Sequence, residues 1–189
     1  FAQQNSPMRA FDLVREWPAS NTSICIIDRR GDLHTFGDTT RASRIASISK
    51  LITAWATLIA VEDGSTSLDA QVGQQDCTLA HLLSHAGGYS FDGAVPIVTP
   101  GRKRIYSNTG YELIADHVEK VSEISFTDFL REAIFEPLRM SKSFLNGSAA
   151  HDVVSCVDDL VEFALELRNP QLISTSTAGV ATTTQFAEL

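Results

Sequence analysis

The chain has 189 residues, 43% apolar and 20% charged, which is enough for one ordinary globular core. Its formal net charge of −8 argues against nucleic acid and against an anionic membrane surface, because both ask for a basic face. Its three cysteines, Cys25, Cys77 and Cys156, are too few and too scattered for a disulfide framework or a zinc site, so a reducing, cytoplasmic setting is expected.

In chain order, Ser6-Pro7 reads as a helix cap followed by proline at the first helical position, with Met8, Phe11, Val14 and Trp17 on one face. No basic start and apolar run precede it, so no signal peptide is expected, although a processed secreted chain would look the same. Residues 22–29 and 33–36 read as two strands around the turn Arg30-Gly31-Asp32. Residues 39–46 read as polar linker. Residues 47–62 form a strong helix that is apolar nearly all round and therefore buried on most sides, closed by Asp63-Gly64. Its apolar stretch, 51–61, is too short to span a bilayer, so no membrane insertion is expected. Thr78 caps a short helix over 79–84, and residues 87–103 read as loop. Helices follow over 109–121, from a cap at Ser125 to a break at Pro137-Leu138, and from a cap at Ser155 onward. The tail over 174–184 is polar with little pattern. Strands are front-loaded, and two strands cannot bury the faces of so many helices. The exposed hairpin edge is thus open to a second copy of the chain or to a C-terminal segment.

Three segments carry chemistry. Ser47 and Lys50 stand one helical turn apart, a hydroxyl beside an amine that can act as its base if desolvation lowers the amine from its ordinary value of about 10.4. At a helix N-terminus, the dipole also favours an oxyanion forming at Ser47. Such a spacing arises by chance about once in a chain of this size, so its position at the start of a buried helix is what gives it weight. Tyr106 and Asn108, on a turn before a helix, offer a proton carrier and a carboxamide; an asparagine cap after a buried tyrosine would look alike. His81 and His85 have the helical spacing of two zinc ligands but lack the adjacent glutamate and a third ligand, and His85 before Gly87-Gly88 is expected to brace a turn. The run Arg102-Lys103-Arg104 is a solvated loop or a weak attractor of carboxylates.

Taken in order, these segments resemble the serine β-lactamase and penicillin-binding-protein superfamily, in particular its class C β-lactamase, D,D-peptidase and esterase branch. The resemblance rests on Ser47-Ile48-Ser49-Lys50, on Leu82-Leu83-Ser84-His85-Ala86-Gly87-Gly88, on Tyr106-Ser107-Asn108, and on Pro137-Leu138-Arg139-Met140, where Arg139 replaces the usual glycine. It implies an α/β (α+β) fold: an antiparallel sheet flanked by helices, plus a mainly helical subdomain. Residues 1–64 would form the N-terminal part of the α/β domain with the nucleophile helix, and 65–189 the helical region with the tyrosine motif. It implies Ser47 as nucleophile, Lys50 and Tyr106 as proton-handling partners, Asn108 as a clamp on lysine and substrate, and neither metal nor organic cofactor. The family's third motif, on a later strand, has no counterpart after Asn108, so the C-terminal strands are expected to be missing and the 189 residues alone to be a weak catalyst. The expected activity is hydrolysis of a small-molecule or peptide substrate (β-lactam, D-amino-acid peptide or small ester) through an acyl-enzyme. A relative that only binds peptidoglycan-like ligands or a protein partner is the alternative.

Overall fold

The computed structural model describes residues 7–189. The cap expected at Ser6 lies outside them, but helix α1 (Pro7–Arg15) does open on Pro7. Its Phe11 ring stacks on Phe36 at 5.9 Å, and Val14 is buried, whereas Trp17 lies beyond the helix and is exposed. Strands β1 (Ile24–Ile27) and β2 (Leu33–Phe36) pair antiparallel, with Ile24 opposite Phe36 and Ile27 opposite Leu33. The turn between them is tied by Asp28, whose Oδ1 accepts from the backbone N–H of Arg30 and of Asp32 at 2.8 and 3.0 Å.

A second sheet was not visible in the sequence. Strands β3 (Ser43–Arg44), β4 (Phe144–Leu145) and β5 (Val153–Ser155) form a three-stranded antiparallel sheet in the order β3-β5-β4. The supposed linker therefore contains a strand. Ser155, expected as a helix cap, belongs to β5: its hydroxyl meets that of Ser143 at 2.7 Å, and Cys156 takes the cap position of α6 (Val157–Arg168) without a side-chain bond.

The core forms around α2 (Ser49–Glu62). Ile52, Trp55, Ala56 and Ala60 pack into one buried cluster with Tyr111, Ile114 and Val118 of α4 (Asn108–Ser122). Phe126 and Leu130 of α5 (Phe126–Leu130) join the same cluster, as do Ile134 and Phe135. The expected helix before Pro137 is short: α5 passes into a π-turn over Arg131–Phe135. Helix α3 (Leu79–Leu83) is capped as expected by Thr78, whose Oγ1 accepts from the His81 N–H while His81 Nδ1 accepts from the Thr78 N–H. The polar tail contains a helix after all, α7 (Thr175–Ala181), capped by Ser174. The result is a mixed α/β fold of small antiparallel sheets and helices. Among the described residues, no helix is long and apolar enough to cross a membrane.

Candidate active site

The α2 helix starts two residues later than its apolar pattern implies. Ala46–Ile48 forms a 3₁₀ turn, entered through a left-handed Ala46 (φ 49°), which presents Ser47 to solvent just ahead of the helix. Ser49 holds that turn. It is fully buried, and its Oγ donates to the Ala46 carbonyl at 2.6 Å and accepts from the Val153 N–H at 3.1 Å. The turn that carries Ser47 is thereby tied to β5.

Lys50, 4% exposed, points into the space between α2 and α4. Its Nζ donates to Asn108 Oδ1 at 2.7 Å and to the Ala150 carbonyl at 2.9 Å, and reaches Ser47 Oγ at 3.4 Å. These three acceptors match the three N–H bonds of an ammonium. The same Nζ lies 4.7 Å from the centre of the Tyr106 ring and 5.6 Å from that of Tyr111. Ser47, Lys50, Tyr106 and Asn108, separated by up to 61 positions in the chain, are thus brought together by the packing of α2 against α4.

At the start of α4 the cap is Ser107, not Asn108: Ser107 Oγ accepts from the Gly110 N–H at 3.0 Å. This leaves the Asn108 side chain available for Lys50. Tyr106 is half exposed, the opposite of a buried anchor. Burial of its phenol would raise its pKa, but the Ser47 hydroxyl and the Lys50 ammonium outweigh that effect and bring it below the ordinary tyrosine value. Tyr111, deeply buried, is pushed up to about 12.

His85 braces this turn, as its sequence neighbourhood led us to expect. Its Nδ1 accepts from the Ser107 N–H at 3.2 Å, which fixes the proton of the neutral ring on Nε2. Its ring packs on Tyr106 at 4.5 Å and Tyr111 at 5.2 Å. Burial, then the charges of Lys50 and Arg104, lower its pKa to about 4. His81 and His85 do not share a helix face. Helix α3 stops at Leu83 and His85 is left-handed (φ 59°), while His81 caps its own helix and stacks on Phe186.

This geometry sits in a chain whose residues 38–187 match the family model described as "Beta-lactamase". The chain belongs to the β-lactamase family. It is similar to a β-lactamase (Mb2281c) from Mycobacterium bovis, 36% identical with a TM-score of 0.93 over 95% of this chain and 67% of that one. It is 28% identical to penicillin-binding protein 4* of Bacillus subtilis (strain 168), over 52% of this chain and 29% of that protein. A penicillin-binding protein from Bacillus halodurans, 17% identical, shares the fold with a TM-score of 0.82 over 89% of this chain and 76% of that one. The chain therefore spans less than a third of its Bacillus subtilis relative and about two thirds of the mycobacterial one.

Within this family member, two stretches that line the site carry no local sequence signal. One is the loop at 148–150, whose Ala150 carbonyl holds Lys50 and whose Ala149 carbonyl accepts from Thr53 Oγ1 at 2.8 Å. The other is the loop at 90–93, which clamps the start of α4. Arg104 does not face the site. Its guanidinium donates to the carbonyls of Ser84, Gln185 and Phe186 at 2.6, 2.7 and 3.1 Å and straps the C-terminal segment down. It is thus not placed to attract a substrate carboxylate.

Proposed function

We propose that the chain acts as a serine hydrolase that forms an acyl-enzyme on Ser47 with amide or ester substrates, a β-lactam, a D-amino-acid peptide or a small ester. Membership of the family supports a hydrolase of the serine type, and the contact between Ser47 Oγ and the buried Lys50 Nζ carries the assignment to this residue. A serine hydroxyl needs a base to attack a carbonyl. With all three of its N–H bonds facing acceptors, Lys50 has the surroundings of an ammonium, and the Tyr106 phenol beside it is lowered. We therefore assign the proton from Ser47 Oγ to the Lys50–Tyr106 pair, in which Lys50 Nζ contacts Ser47 Oγ and lies over the Tyr106 ring. Ser47 Oγ bonds to the substrate carbonyl carbon, and the tetrahedral oxyanion lies at the N-terminal end of α2, where the helix dipole favours it. The bond from that carbon to the leaving group then breaks, the pair passes the proton to the leaving group, and water releases the acyl chain by the reverse sequence. Asn108 Oδ1 holds Lys50.

Burst kinetics with a p-nitrophenyl ester test this reading. Tyr106→Phe is expected to slow acylation by about 10²–10⁴-fold, the range for a general acid–base group. Lys50→Ala is expected to abolish it with the fold intact. Acylation at the parent rate in both variants would make the constellation structural and favour a relative that only binds its ligand.

A further inference from the structure

The Asn108 carboxamide has two sides, and only one of them belongs to Lys50. Its Nδ2 donates to Asp92 Oδ1 at 2.9 Å. We propose that Asp92 is a positioning residue that sets the orientation of Asn108, and through it that of Lys50; the inference rests on the serine-hydrolase reading above. The chemistry of the three groups permits one arrangement. The Lys50 ammonium is only a donor and the Asp92 carboxylate only an acceptor, so the amide between them satisfies both with its oxygen toward Lys50 and its nitrogen toward Asp92. Rotating the amide by half a turn would set N–H against ammonium and oxygen against carboxylate. The cost falls on a site that is 6% exposed at Asn108, where unpaired polar groups are expensive.

The loop that brings Asp92 here does not need its side chain. Three other hydrogen bonds seat residues 90–93 on the start of α4. Ser107 Oγ donates to the Ser90 carbonyl at 2.7 Å, the Asn108 N–H to the Phe91 carbonyl at 2.8 Å, and the Gly93 N–H to Thr109 Oγ1 at 3.0 Å. Among the described residues, the only hydrogen bond recorded for the Asp92 carboxylate is the one from Asn108. Its function is therefore separable from the loop's fold. It uses one of the two hydrogens of the amide nitrogen.

Two substitutions separate position from bulk. Asp92→Leu keeps the shape and removes the acceptor; Asp92→Asn keeps an amide oxygen in its place. In the full chain, Asp92→Leu is expected to slow Ser47 acylation by a p-nitrophenyl ester roughly 10- to 100-fold, the scale of a small misplacement at a reacting centre and more than any accompanying fall in melting temperature explains. Asp92→Asn is expected to remain within about threefold of the parent, since a neutral hydrogen bond is only about half as strong as a charge-assisted one. In parallel, ¹⁵N NMR reads solvent exchange of the Asn108 side-chain amide, which should quicken in Asp92→Leu and stay slow in Asp92→Asn. That readout does not depend on Ser47, so a chain without hydrolase activity would sink the catalytic reading while still testing this one. Equal amide exchange in the two variants, or equal acylation in them when the parent chain is active, would overturn the inference.

Discussion

Ser49 has the smallest side chain in the nucleophile motif that does structural work at both ends. Its hydroxyl links the left-handed Ala46 to the Val153 N–H of β5, a partner 104 positions away. Ser49→Ala would leave that buried N–H without an acceptor and the Ala46 carbonyl without its donor. We predict a loss of about 1–3 kcal/mol in urea unfolding. A further drop in Ser47 acylation should exceed what the unfolded fraction explains, because the turn that presents Ser47 loses its tether. His85 gives the site a pH dependence of known sign. Its folded value, about 4, lies below its ordinary 6.5, so the unfolded chain takes up the proton first. The stability His85 contributes is complete above about pH 6.5 and is lost as pH falls toward about 4, where a protonated Nδ1 can no longer accept from Ser107. His85→Asn tolerates the left-handed backbone and has no titration in this range. Its melting-temperature deficit against the parent should shrink steadily from pH 7 to pH 4; a constant deficit would rule out this titration. The sequence exposed His85 as a turn brace because glycines follow it, but gave no sign of Ser49's role, which depends on a strand far away in the chain.

At the scale of elements, local chemistry was legible and long-range pairing was not. Thr78 and Ser125 cap their helices as read, since a cap satisfies backbone N–H groups only three residues on. Ser155 failed because β5 pairing and the Ser143 hydroxyl claim it. Strands of two or three residues, such as β3 and β4, are too short to show alternation. Arg139 is a different case: the sequence marked it as standing where glycine is usual, and it is left-handed at φ 57°. Arg139→Gly relieves about 1–2 kcal/mol of backbone strain against an entropic cost of about 0.5–1. We predict a net stabilisation of about 0.5–1 kcal/mol in thermal or chemical unfolding. Glu166, on α6, is 3% exposed and accepts from Trp55 Nε1 of α2 at 3.0 Å and from the N–H groups of Gln171 and Leu172 at 2.8 and 3.0 Å. Glu166→Ala leaves three donors unpaired and should cost about 3 kcal/mol, read as a lower urea midpoint with acylation of the folded fraction intact.

For the molecule as a whole, one buried cluster joins α2, α4 and α5, and the site lies at its surface where α2 meets α4. That is why the four candidate residues could be read from the sequence: each sits at or just before the start of a helix whose apolar residues announce it, and packing the helices brings their starts together. The backing loops at 90–93 and 148–150 have no periodicity, and their contributions are carbonyls and one carboxylate, which no residue pattern announces. The central claim is that this convergence makes Ser47 a nucleophile. The direct measurement is peptide mass mapping after treatment of the chain with a fluorophosphonate. The account predicts a single adduct on Ser47 that forms far more slowly in Tyr106→Phe; an adduct on Ser49, Ser107 or another serine, or none on Ser47, would contradict it.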